Sequence, residues 1–281
     1  MSTKKNTTNT LSSLSVFSSY TEEILAKNHF AKIHSVFPNG FNLNFNGELV
    51  YISYHQEGLL SARGISIDKS VFDAITPYLK IGVQVRVKEQ QLVFYTRPYI
   101  FTVHFTERKV KDLKVRPLTE DELEAFGFQS RLEQLNLLKH SGFATNENLM
   151  MILNEIKREN EVNTNHIKRL IGAGIGLTPT GDDFLQGLIF MEQTLQNRPH
   201  IQTLVEEQLT QRSTTDVSLS YYQAIFDGYS NEPLVLLAQA IKEGNEEAFH
   251  QAISYIRQYG ETSGYDLLTG MGQYLNTKRM E

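Results

Sequence analysis

Hydrophobic and polar residues alternate in the first part of the chain and recur at helical spacing in the second. Phe41, Leu43 and Phe45 alternate with asparagines, and Asn46-Gly47 then supplies the residues that a type I′ turn needs. With the apolar residues of 49–54, this pattern predicts a β-hairpin. Further strand-like runs lie at residues 64–67, 83–87, 92–95 and 100–105. We therefore expect residues 37–115 to form an antiparallel sheet or a small barrel.

The segments that flank this region differ from it. Residues 1–18 are rich in Ser, Thr and Asn and lack the apolar stretch of a signal peptide, which indicates a disordered tail. Ser19 with Glu22 is a candidate capping box for a helix through about Phe30. After Pro117 a second capping box begins a helical region, with segments predicted at residues 132–139, 148–157, 164–171, 182–195, 201–211, 217–226, 233–243, 246–259 and 265–274.

Strands followed by helices are typical of an α+β protein. We expect two domains after the tail: a β-rich domain at residues 19–117 and a mainly α-helical domain at 118–281.

Composition removes several classes of function. The net charge of -5, without long blocks of one sign, argues against a nucleic-acid-binding protein. The chain has no cysteine, which excludes disulfides, thiolate zinc sites and a cysteine nucleophile and fits a cytoplasmic protein. No apolar run approaches the roughly 20 residues of a membrane helix. Neither H-E-x-x-H nor G-x-S-x-G occurs, which disfavours zinc and serine hydrolases.

The most unusual segment is the glycine-rich stretch from Gly172 to Gly187, G-A-G-I-G-L-T-P-T-G-D-D-F-L-Q-G. Such a loop before a helix N-terminus can place backbone amides around a phosphate or carboxylate. It matches neither nucleotide-binding glycine motif. Asp182 could ligate a divalent cation that holds a phosphate, with Asp183 as a second ligand, or it could act as a general base.

The chain repeats part of this segment. Residues 180–187 and 263–270 both read [ST]-G-x-D-x-L-x-G. One interpretation is structural: Thr180 and Ser263 are N-caps, Asp183 and Asp266 complete the capping boxes, and the last glycines permit close helix contact. That interpretation leaves Asp182 without a role. The other interpretation is that the two turns face one another and build a site.

A third segment, residues 212–218, places a guanidinium and several hydroxyl groups together. This chemistry suits the binding of phosphoryl or carboxyl oxygens, although the same residues could form only an N-cap loop. Our candidate site residues are accordingly Asp182 and Asp183 for catalysis or metal binding, and Gly174, Gly176, Thr178, Thr180, Gly181, Arg212, Thr214, Thr215, Ser218, Ser263, Gly264 and Asp266 for substrate or phosphate.

Together, the G-L-T-P-x-G-D-D core, the T-T-x-x-S of residues 214–218 and the T-S-G-Y-D-L-L-T-G of residues 262–270 resemble a bacterial family that includes the AllH subunit of oxamate carbamoyltransferase. The resemblance extends from about residue 37 to 275, with its specific motifs between 172 and 270. It implies a transferase subunit that works beside other carbamoyltransferase subunits in the phosphorolysis of oxalurate to oxamate and carbamoyl phosphate during allantoin breakdown.

The implied ligands are small anions: carbamoyl phosphate, phosphate or an oxamate-like molecule. Mg²⁺ is a candidate cofactor. The S-T-R-T phosphate signature of the ordinary transcarbamoylases is absent, so the resemblance implies no transcarbamoylase fold. Two alternatives stay open: a noncatalytic assembly or regulatory subunit, and a metal-dependent hydrolase or phosphotransferase that uses Asp182 and Asp183.

Overall fold

The computed structural model describes residues 7–278. The chain separates into two compact units, Met1–Leu113 and Lys114–Glu281. The sequence places the division near residue 117, at the start of the helical pattern. Within residues 7–278, no helix combines the length and apolar character that a membrane span requires.

The first unit is a closed barrel whose strands follow the order β1-β5-β4-β3-β2-β6-β7-β8. They are β1 (Thr7–Ser18), β2 (Phe30–Phe37), β3 (Gly40–Phe45), β4 (Glu48–Tyr54), β5 (Gly64–Ile67), β6 (Gln84–Lys88), β7 (Gln91–Phe94) and β8 (Tyr99–Lys111). The small barrel predicted from the alternating residues is confirmed. It is mixed, because β1 runs parallel to β8 and β4 runs parallel to β5.

The prediction of a disordered tail over residues 1–18 is wrong for residues 7–18, which form β1. Residues 1–6 lie outside the described part of the chain. β1 pairs with β8 along its whole length and with β5 at Ser15–Phe17. Its alternation is inverted, since Ser13 and Ser15 are buried whereas Leu14 is half exposed. Hydrogen bonds between main chains form this strand, and they do not depend on side-chain polarity. Its polar composition therefore gave no alternating pattern from which a strand could be predicted.

The hairpin of β3 and β4 is confirmed. Asn46 and Gly47 both have positive φ, at 56° and 107°, as a type I′ turn requires. The helix expected up to Phe30 is shorter: α1 spans Ser19–Lys27 and its N-cap is Ser18. Phe30 instead begins β2, which the pattern missed together with α2 (Lys69–Ile75).

The second unit is helical. Together with the barrel it gives the chain the predicted α+β class. Its helices are α3 (Glu120–Phe126), α4 (Phe128–Gln134), α5 (Leu137–His140), α6 (Glu147–Glu159), α7 (Thr164–Leu170), α8 (Thr180–Thr194), α9 (Ile201–Leu209), α10 (Asp216–Phe226), α11 (Glu232–Glu243), α12 (Glu246–Ile256) and α13 (Ser263–Lys278). The capping box of Thr119 and Glu122 is confirmed at α3. The single helix expected at 132–139 is interrupted, because Asn136 adopts a left-handed φ of 50°.

Helix α8 lies at the centre of the helical unit, with almost every residue buried. A helix enclosed on all sides needs close neighbours, and α13 is the nearest. A Cβ on Gly187 would lie 2.1 Å from the Leu267 carbonyl oxygen, and a Cβ on Gly270 would lie 2.1 Å from the Phe184 carbonyl oxygen. The two helices therefore cross backbone to backbone, and the repeated glycines make the crossing reciprocal.

Candidate functional site

The glycine-rich loop connects α7 to α8 and is largely exposed, whereas the helix it precedes is buried. Gly172, Gly174 and Gly176 have φ of 69°, 128° and 99°, which L side chains rarely adopt. A Cβ on Gly174 would also lie 2.6 Å from the Thr180 amide nitrogen. The glycines thus let the loop fold tightly over the start of α8.

The N-cap interpretation of Thr180 is wrong. Thr180 is the first helical residue of α8, Pro179 occupies the N-cap, and no side chain caps the helix. The amides of Asp182 and Asp183 donate instead to the Pro179 carbonyl oxygen, at 2.9 and 3.1 Å. Likewise, α13 begins at Ser263, so Ser263 is not its N-cap. The aspartates of both turns are thereby available for contacts with other elements.

Asp182 is fully buried and its carboxylate joins three segments. Oδ1 accepts hydrogen bonds from the Gly172 amide at 3.0 Å and from the Tyr222 hydroxyl at 3.0 Å, and Oδ2 accepts one from the Thr214 hydroxyl. Burial raises the pKa of Asp182, and the hydrogen bonds from Thr214, Gly172 and Tyr222 oppose that rise. The side chain is a junction between α8, the glycine-rich loop and α10.

Asp183 faces α13. Burial raises its pKa well above the usual range; the Ser263 hydroxyl opposes this rise, and the nearby charge of Asp266 adds to it. Ser263 is itself hydrogen-bonded to Thr178, with 2.8 Å between the hydroxyl oxygens. Within residues 7–278 the Asp183 Oδ2 atom has no hydrogen-bond partner. A buried carboxyl oxygen without a partner is uncommon in proteins, and a functional role or a bound water is among the explanations for one.

Asp266 is the counterpart of Asp183 on α13. Its Oδ1 accepts a hydrogen bond from the Gly142 amide at 2.8 Å, and its Oδ2 is also unpartnered in the described part of the chain. Burial raises the pKa of Asp266 to about 6, against lowering by the Thr262 hydroxyl, the Gly142 amide and the Thr180 hydroxyl. Asp183 thus interacts with the first residue of α13, and Asp266 with the first residue of α8. The prediction that the two turns face one another is confirmed.

The 212–218 segment lies beside the glycine-rich loop. Thr215 is the N-cap of α10, and its hydroxyl accepts a hydrogen bond from the Ser218 amide at 3.0 Å. The N-cap interpretation is therefore confirmed for that residue. The Thr215 hydroxyl also donates to the Leu177 carbonyl oxygen, which fastens the loop. Arg212 is exposed. The structure therefore brings Thr214, Thr215 and Ser218 to the loop.

Three participants were missed by sequence reasoning. Tyr222 is not among the candidate site residues, yet it is fully buried and its hydroxyl donates a hydrogen bond to Asp182. Gly142 contributes an amide from the segment after α5, which is distant from both motifs in the sequence. Gln186 is buried on α8, and its Nε2 has no acceptor within residues 7–278. Gln186 lies inside the repeated motif, so its position there was the one available signal.

The chemistry open to this cluster is mainly hydrogen bonding and proton exchange. Both carboxylate oxygens of Asp182 already accept hydrogen bonds, which leaves that side chain poorly suited to bind a metal. Across residues 7–278, no group of three or more His, Cys, Asp or Glu side chains has the arrangement of a metal site. Asp183 and Asp266, in contrast, each have one carboxyl oxygen that can accept a proton or a hydrogen bond.

These side chains lie on segments that a known family shares. Residues 170–275 match the family model described as oxamate carbamoyltransferase subunit AllH. The AllH match includes the glycine-rich loop, α8, the 212–218 segment and the turn at the start of α13, and it covers less than half of the chain. It confirms the resemblance recognised in the motifs and associates the region with a carbamoyltransferase subunit. No solved structure matches the chain significantly.

Proposed function

We propose that the chain is a subunit of a carbamoyltransferase resembling oxamate carbamoyltransferase, which converts oxalurate and phosphate into oxamate and carbamoyl phosphate in purine nitrogen catabolism. One observation carries the proposal. The AllH match spans the three segments whose side chains meet around Asp182, Asp183 and Asp266. In this proposal, the chain assembles with the other carbamoyltransferase subunits.

We assign the residues of this site different tasks. Asp182 is a positioning residue, because both oxygens of its carboxylate accept hydrogen bonds from donors of the protein itself. Asp183 and Asp266 are the catalytic candidates, because a carboxyl with a raised pKa can donate or accept a proton near neutral pH. Amides of the loop and the hydroxyls of Thr178 and Ser263 stabilise developing negative charge on oxygen.

The phosphate end of the ligand lies on the exposed side of the loop in this proposal. Gly174 and Gly176 supply backbone around it, and Arg212 provides the positive charge from the rim. Gly181 and Gly264 act indirectly, because they let α8 and α13 pack closely against the Leu170 and Ile256 carbonyl oxygens.

The test is reconstitution. The full chain is co-expressed with candidate partner subunits, and phosphate-dependent formation of carbamoyl phosphate from oxalurate is measured. We expect Asp183→Asn to lower turnover at least tenfold while the complex still assembles, because the exchanged group can no longer titrate. Asp121→Asn is the matched control, since Asp121 is an exposed aspartate in the first turn of α3. Unchanged turnover in Asp183→Asn would favour the noncatalytic assembly role.

A further inference from the structure

Six buried polar atoms of the helical unit lack a hydrogen-bond partner among residues 7–278, and three of them belong to the repeated motif: Asp183 Oδ2, Asp266 Oδ2 and Gln186 Nε2. Their residues are 5%, 0% and 7% exposed. Burying such atoms without partners is costly, so a group that pairs with them stabilises the folded chain. Gln186 follows Asp183 by three residues on α8, which places the two side chains on adjacent parts of one helix face.

The polarity of these atoms defines what can pair with them. The carboxyl oxygens accept hydrogen bonds and the glutamine nitrogen donates one. A planar carboxamide or ureido group has the complementary arrangement, with N–H donors and a carbonyl acceptor on neighbouring atoms. A lone cation would satisfy the oxygens and leave the glutamine nitrogen facing a positive charge. A lone carboxylate would satisfy the nitrogen and face two acidic side chains.

The surroundings hold these side chains in place. The Gly142 amide fixes one oxygen of Asp266, and the Thr178 and Ser263 hydroxyls bond to each other beside Asp183. Thr178 belongs to the exposed glycine-rich loop, whereas Ser263 begins α13. The loop is held by this hydrogen bond and by the one from the Thr215 hydroxyl to the Leu177 carbonyl oxygen, so a ligand that approaches from the loop side has to displace both contacts.

We propose that Asp183, Gln186 and Asp266 bind the carboxamide or ureido end of a ligand, beneath the glycine-rich loop. This inference takes the kind of substrate from the proposed function. It adds which residues hold the nitrogen-bearing end of that substrate. The two carboxyl groups accept the ligand N–H groups, and the Gln186 amide donates to the ligand carbonyl oxygen.

Isothermal titration of the full chain with oxamate and with oxalate tests this directly, because oxalate has a negatively charged carboxylate where oxamate has the neutral carboxamide. We expect oxamate to bind at least tenfold more tightly than oxalate. Asp183→Asn, which exchanges an acceptor for a donor, and Gln186→Leu, which removes the donor, each weaken oxamate binding at least tenfold. Asp121→Asn binds like the unmodified chain. Circular dichroism melting verifies that each variant is folded.

Several results would overturn the proposal. Equal affinity for oxamate and oxalate would show that the NH₂ group is not recognised, and unaltered oxamate binding in both site variants would place the ligand elsewhere. Absence of binding would indicate that the three atoms hold only water. Tighter binding of Mg²⁺ or ammonium, lost in Asp183→Asn, would identify a cation site. Carbamoyl phosphate formation by the reconstituted complex is a separate readout, so failure of either proposal is recognised independently.

Discussion

The two turns that begin α8 and α13 share a motif but have different surroundings. Their common residues have common roles: the glycines at the ends of the motifs contact the opposite backbone, and Asp183 and Asp266 interact with the first residue of the opposite helix. The repeat is therefore a reciprocal helix crossing with a buried carboxyl pair at its end.

The turns differ at the residue between the glycine and the shared aspartate. In α8 this is Asp182, buried and bonded to the loop, Thr214 and Tyr222. In α13 it is Tyr265, half-buried, with its ring 5.1 Å from that of His140 and its hydroxyl accepting from Arg257 at 2.9 Å. The shared residues build the crossing, and the differing residue decides which turn anchors a loop.

The largest effect is expected where the crossing itself is disturbed. Gly270→Ala places a Cβ 2.1 Å from the Phe184 carbonyl oxygen, so we expect a loss of about 3 kcal/mol in the free energy of unfolding. Gly272→Ala is the matched control on the same helix, because its Cβ meets nothing closer than 3.9 Å. Urea unfolding measures both, and equal stabilities would contradict the crossing as described.

The second effect concerns the position that distinguishes the turns. Asp182→Ala leaves the Gly172 amide and the Tyr222 and Thr214 hydroxyls without their acceptor, which we expect to cost about 2 kcal/mol. At the equivalent position, Tyr265→Phe removes only a surface hydrogen bond and should change stability by about 0.5 kcal/mol or less. Thermal melting compares them. A similar loss in both variants would remove the distinction between the turns.

The third effect is a pH dependence. The folded pKa of Asp266, about 6, exceeds the ordinary 3.8, so the folded state binds the proton more tightly and stability falls as pH rises from about 4 to about 6. Asp266→Asn should remove a contribution whose steepest slope is roughly 1.4 kcal/mol per pH unit. Unfolding free energies at several pH values in this window supply the comparison, and an unchanged slope would count against the raised pKa.

The smallest effect lies at the contact between the loop and α13. Thr178→Val and Ser263→Ala each remove one partner of the same 2.8 Å hydrogen bond. A double-mutant cycle on unfolding free energies should give a coupling of about 1 kcal/mol. Additive losses would mean that the loop is not held to α13 by this bond.

The pattern along the chain predicted elements whose signal is local. The hairpin turn at Asn46-Gly47 was predictable because both residues tolerate positive φ, and the capping box at Thr119 because its partners lie three residues apart. The helical segments followed from their spacing of apolar residues. Strand β1 was not predictable in this way, since its buried serines and exposed Leu14 contradict the usual alternation and its partners lie far along the chain.

By itself, the sequence determined the class of the fold, the repeated turns and the association with AllH through motifs at residues 172–270. Only the tertiary structure decided that both carboxylate oxygens of Asp182 accept hydrogen bonds from neighbouring segments. It also decided that Asp183 and Asp266 each keep one carboxyl oxygen without a hydrogen-bond partner among residues 7–278. Adjacent carboxylates look equivalent in a sequence. On a helix they point about 100° apart, so one meets the loop and α10 and the other meets α13, and the donors found there set their different chemistry.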